Sequence, residues 1–280
     1  MRDVLRKDRP ATSTDDSADR EEVSGWFDRH AAEPLFRVAN RHTGPRATQQ
    51  VLLVLLAAFV AQILFVSIGL GLLAAAGITE DAAPVAFLSA QSAAGLLAFL
   101  AVGFGYLAWQ RDPALIGMRR PTRHDIRTVL GGFVVFAGLL FGVEFLFGFL
   151  GIEVAENVVV EQGNEHPELF LVFLPLQFLL TGPAEELLFR GIVQGVLRRA
   201  YGVVPGIVFA SALFALFHVP SLTGDSLLPV LFILFLSGAA LGTLYEYSRT
   251  LLVPILVHAL WNTLVFGTQY AQAVDALLAG

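Results

Sequence analysis

Cysteine is missing from the sequence altogether. Its absence excludes disulfide bonds, thiolate metal sites and a cysteine nucleophile, and leaves the redox compartment open. Charge is scarce too. Asp, Glu, Lys and Arg make up 15% of the residues, against about 25% in an ordinary soluble domain. The positive charge is almost wholly arginine, with Lys7 the one lysine, and the formal net charge is -6. That balance offers no basic footprint for nucleic acid, so no nucleic-acid partner is expected. Neither a G-x-S-x-G elbow nor an H-E-x-x-H helix occurs, which argues against a serine hydrolase of that kind and against a conventional zincin. Residues 1–24 hold no apolar run, so no cleaved secretory signal is expected there.

What is abundant is hydrophobicity: 55% of the residues are apolar and the mean hydropathy is +0.67. A membrane-crossing helix needs about 20 mostly apolar residues. Seven stretches qualify: 50–76, 84–110, 128–152, 169–197, 203–218, 227–247 and 251–270. The expected fold is therefore all-α, a multi-pass transmembrane helical bundle of about seven spans, with membrane lipids as its surroundings. Residues 1–48 read as a cytoplasmic N-terminal tail, polar and unable to bury enough surface to order in 1–24. Within 25–46, Trp26, Phe27, Leu35 and Phe36 alternate with Arg29, Arg37, Arg41 and Arg46. This mix suits either a helix on the membrane surface or an ordinary linker. Residues 49–271 form the transmembrane domain, and 272–280 are too few for another span and read as a short C-terminal tail.

The loops set the orientation. Arg37, Arg41 and Arg46 precede the first span, Arg111, Arg119, Arg120, Arg123 and Arg127 separate the second and third, Arg198 and Arg199 follow the fourth, and Arg249 precedes the seventh. The intervening loops carry Glu80, Asp81, Glu153, Glu156, Glu161, Glu165 and Glu168. Arginine-rich loops stay inside, so the N-terminus is expected in the cytoplasm and the protein in the cell membrane.

Ionisable groups inside spans are costly and mark function by default. The sequence places Glu144, Glu185, Glu186, Arg190, His218 and His258 there, with Asn262 beside them. Glu246 reads as one half of a surface pair with Arg249. At a rise of ~1.5 Å per residue, Glu185 and Glu186 lie roughly 18–20 Å above the cytoplasmic arginines, His218 about 22 Å, His258 about 12 Å and Asn262 about 18 Å. Groups from three spans thus share one layer of the bilayer. His258 and Asn262 share a helix face, as do Phe214 and His218, and Glu186 and Arg190 are spaced for an intrahelical pair. Glu185 is turned about 100° from Glu186 and needs another partner, for which the two histidines are available.

Glu185-Glu186-x-x-x-Arg190, then Phe214-x-x-x-His218, then His258-x-x-x-Asn262, resemble in order the three motifs of the CPBP family. That family holds the glutamate-type CAAX prenyl endopeptidases and the bacteriocin-processing or Abi-like membrane proteins. The resemblance covers about 169–263. It implies a bundle with a polar intramembrane cavity and an endopeptidase acting on a membrane-associated or lipidated peptide or protein. Carried over by motif, Glu185 is the general base that activates water, and His218 positions that water or stabilises the oxyanion. His258 and Asn262 complete the site, Asn262 as an amide donor, with Glu186, Arg190 and Phe214 in support. A catalytic zinc on Glu185, His218 and His258 is compatible with these residue types. A metal-free mechanism uses the same groups, and an amide at Asn262 suits an oxyanion better than a zinc.

Each residue also has a plainer reading. Thr181-Gly182-Pro183 looks like a helix restart, and an acidic residue after it complements the helix dipole. Phe214 is an ordinary packing residue by type, and a lone buried histidine often just bonds backbone. Two other functions compete: a proton-coupled transporter, since buried carboxylates and histidines also build proton relays, and an inactive scaffold or immunity protein with the same fold.

Overall fold

The computed structural model describes residues 34–37, 43–112 and 115–279. Of the expected N-terminal tail 1–48, residues 34–37 and 43–48 are described, and 43–48 open the first helix rather than belonging to a tail; the rest of it, with most of the stretch considered for a surface helix, lies outside the described residues. Contacts divide the chain into units Met1–Leu35 and Phe36–Gly280, and every described helix belongs to the second.

Eight helices are described: α1 (Thr43–Ala75), α2 (Pro84–Gln110), α3 (Arg123–Phe149), α4 (Val158–Glu165), α5 (Glu168–Tyr201), α6 (Val203–Phe217), α7 (Leu227–Ser248) and α8 (Leu252–Ala279). All except the short α4 belong to segments long and apolar enough to cross a membrane, seven in number. The chain is an integral membrane protein. Two two-residue strands, β1 (Glu156–Asn157) and β2 (Leu222–Thr223), pair antiparallel and tie the loop before α4 to the loop after α6.

The helix starts follow local chemistry. Thr122 caps α3 in a capping box with Asp125, satisfying two backbone N–H groups that the first turn leaves open. This starts the helix at Arg123 rather than at the first apolar run. Pro84 occupies the first turn of α2, where its missing N–H costs nothing. At the other end, α8 continues to Ala279, so residues expected to form a tail extend the last helix.

Helix α5 is the most enclosed span, with 39% of its apolar window buried against 17–33% for the others. Its Leu188, Phe189, Ile192 and Val193 pack against Val54 and Ala58 of α1, Phe99 and Tyr106 of α2, and Ala210 and Phe214 of α6. A second cluster joins Phe136 and Leu140 of α3 to Leu241 of α7 and Val257 and Trp261 of α8. Large side chains such as Leu52, Phe104, Val135 and Phe145 remain on the outside, as a lipid solvent requires.

The α2–α3 loop hooks onto the α7–α8 junction. Gly117 N–H donates to the Tyr245 hydroxyl (2.8 Å), and Leu251 N–H donates to the Gly117 carbonyl (2.8 Å). A Cβ at Gly117 would collide with the Arg249 carbonyl. Gly117→Ala is therefore expected to cost about 1–3 kcal/mol, as overpacking does, read as a lower thermal midpoint in detergent. A wild-type midpoint would mean that the loop is not seated there.

Candidate active site

Helix α5 is not uniformly α-helical. Residues Gln177–Thr181 and Leu187–Gln194 form π turns, and Gly182–Glu186 between them is α-helical. Such i→i+5 turns occur mostly as local bulges and often at functional sites. Both glutamates lie in the short α segment. Gly182 lets α8 approach it, because a Cβ there would stand 3.0 Å from the Gln177 and Ile255 carbonyl oxygens.

Glu185, His218 and His258 meet. Glu185 Oε2 lies 3.8 Å from His218 Nε2 and 3.9 Å from His258 Nε2. The histidines come from different places: His218 closes the C-terminus of α6, and His258 lies in the first two turns of α8. Their second nitrogens are held. His218 Nδ1 stands 2.8 Å from the Phe214 carbonyl, and His258 Nδ1 stands 2.8 Å from Glu186 Oε1. Both partners are acceptors, so each neutral ring donates from Nδ1 and leaves Nε2 with a bare lone pair. Glu185 and His218 keep 12% and 19% side-chain exposure, whereas Glu186 is fully enclosed. The site is therefore open on the Glu185–His218 side and closed behind.

Glu186 and Arg190 form the expected intrahelical pair, with Nη1 3.1 Å from Oε1. Arg190 also donates through Nη2 to the Gly238 carbonyl of α7 (3.4 Å) and lies over the Phe214 ring, 4.5 Å from its centroid. Phe214 packs on both histidines, at 4.5 Å from His218 and 6.3 Å from His258 between centroids. It is thus a wall shared by every imidazole and the guanidinium of the cluster.

Three features depart from expectation. His258 donates its short hydrogen bond to Glu186, not to Glu185. Glu246 is no surface residue. It is buried, accepts from Gln194 Nε2 (3.0 Å), and stands 3.3 Å from Arg198 and 3.5 Å from Arg249. Asn262 has a partner that sequence reasoning missed: its Nδ2 donates to Gln177 Oε1 (2.9 Å). The available signal is a glutamine inside an apolar span, which a reading confined to ionisable groups passes over.

Among the described residues, no group of three or more His, Asp or Glu is placed to hold a metal. Ligands ~2.0–2.1 Å from one tetrahedral zinc lie about 3.3 Å apart. The 3.8 and 3.9 Å separations around Glu185 are wider. The residues as they stand therefore do not fit zinc.

No curated protein and no solved structure matches the chain. Residues 167–264, which contain every residue of this cluster, match the family model described as type II CAAX prenyl endopeptidase Rce1-like. Residues 167–264 thus carry an Rce1-like type II CAAX prenyl endopeptidase (CPBP) family domain, a domain of a protease family.

Proposed function

We propose that this protein is an intramembrane endopeptidase that hydrolyses membrane-associated or lipidated peptides and proteins with a water activated by Glu185. The observation that carries this reading is the convergence of three acceptor atoms, Glu185 Oε2 and the two imidazole Nε2 atoms, at 3.8 and 3.9 Å. Acceptors cannot bond one another, and the gaps exceed a direct hydrogen bond of about 2.7–3.2 Å. They are spaced for a shared donor, and water has the right size and two hydrogens to give.

The proton inventory then assigns roles. Glu185 takes a proton from the water as it attacks the scissile carbonyl, and passes it to the leaving amine. With one of the water's two hydrogens going to Glu185, a single bare Nε2, of His218 or of His258, accepts the other and aims the water; neither ring has a hydrogen to offer an oxyanion while neutral. Asn262 is left as the amide donor to the tetrahedral oxygen. Glu186, Arg190 and Phe214 hold the imidazoles in place. The arginine-rich loops support an orientation with the N-terminus in the cytoplasm.

The test is cleavage by purified protein in detergent of a panel of lipidated and unlipidated membrane peptides, read by mass spectrometry. Cleavage is expected to survive exhaustive chelation within about 2-fold, because no step above uses a metal. Loss of activity on chelation, restored by zinc, would overturn the metal-free part. No cleavage across the panel, with Glu185-dependent proton flux in proteoliposomes, would replace the protease reading with a carrier.

A further inference from the structure

Gln177 is 1% exposed, in the interior of a membrane helix, and each of its two polar side-chain atoms has a partner. Its Nε2 donates to the Phe173 carbonyl (3.3 Å), and its Oε1 accepts from Asn262 Nδ2 (2.9 Å). The direction of this relay is not arbitrary. A backbone carbonyl can only accept, so the glutamine nitrogen must face Phe173 and its oxygen must face α8. That in turn requires the nitrogen of Asn262 to face Gln177. A carbonyl in the wall of α5 thereby decides which way an amide on α8 is turned.

We infer that Gln177 is a positioning residue that fixes the amide rotation of Asn262, so that one N–H is bound and the second is held for the reaction. The inference rests on the proposed hydrolase reading and extends it to a residue outside the three motifs. The π turn opens at Gln177 itself, and Gly182 one turn later admits the α8 backbone. Both irregularities bring α5 and α8 close where the two amides meet. An asparagine without this partner would populate two rotations, and only one presents a donor. Preorganised donors stabilise developing charge because they need no reorientation during reaction.

Gln177→Met keeps the length of the side chain and removes both hydrogen bonds. It is expected to lower kcat about 10–10²-fold with KM little changed, less than or equal to the loss from Asn262→Ala. In the Asn262→Ala background the same substitution should have no further effect on kcat, because its target is gone. A structural role would instead give additive losses. A second readout needs no substrate. In protein labelled with ¹⁵N-asparagine, which has four asparagines, the side-chain N–H signals of Asn262 should exchange slowly with D₂O and become fast in Gln177→Met. Unchanged exchange, or additive losses in the double variant, would overturn the inference. So would an Asn262→Ala protein that cleaves at the wild-type rate; if Glu185→Ala is inert in that same assay, the hydrolase reading survives and only the relay fails.

Discussion

Replacing Glu185 with glutamine is expected to lower kcat about 10²–10⁴-fold, the range that a positioned general base supplies, while the protein stays folded. The two halves of this expectation have separate grounds. The catalytic half follows from Glu185 being the carboxylate among the three acceptors that can take a proton from water and later release it. The structural half follows from its loose contacts. The two imidazole nitrogens it faces stand 3.8 and 3.9 Å away, and its side chain keeps 12% exposure. No short ion pair is broken, so the thermal midpoint should change little. Glutamine preserves the shape, and its amide can hydrogen-bond both imidazoles, but it cannot accept the proton. KM should stay within a few-fold, because Glu185 is assigned to the water and not to the peptide. A Glu185→Gln protein that turns over near the wild-type rate would remove Glu185 from the chemistry whatever the substrate. Loss of activity together with unfolding would make Glu185 structural.

The clustering was legible in sequence because charge inside an apolar span is conspicuous, and because motif spacing fixes helix faces. Depth estimated from helical rise brought Glu185, His218 and His258 into one layer, and they do meet. Three things were not legible. Uncharged amides such as Gln177 and Gln194 raise no alarm in a hydropathy reading, yet both are buried partners of polar groups. The π turns of α5 leave no compositional mark, since they concern which carbonyl each N–H selects and not which residue types are present. Burial of Glu246 depends on how the α2–α3 loop and the end of α5 close over α7, a tertiary matter. A single helix records only that Glu246 lies near Arg249, and proximity to an arginine at a span end is equally what a surface residue shows.

The Glu186–Arg190 pair carries the largest stability prediction. Arg190→Met is expected to cost about 3–5 kcal/mol, as breaking a buried ion pair on one side does. Arg190 is among the largest fully buried side chains, and Glu186 is 0% exposed. Removing the guanidinium strips Glu186 Oε1 of its charge partner and leaves His258 as its remaining hydrogen-bond donor. Glu186 Oε2 already has no hydrogen-bond partner, so nothing nearby can take over. At about 2–4 °C per kcal/mol for a large domain, the thermal midpoint in detergent should drop by roughly 10 °C. The reciprocal variant is the control. Glu186→Gln in the Arg190→Met background removes the stranded charge, keeps an acceptor for His258 Nδ1, and should recover a large part of the loss, because paired removal of buried charges is often near neutral. The two single losses would then exceed the double one, a coupling that independent sites do not show. An Arg190→Met protein as stable as wild type, or a double variant no better than Arg190→Met, would mean that the buried pair does not hold the fold together and that His258 is oriented by Glu186 alone.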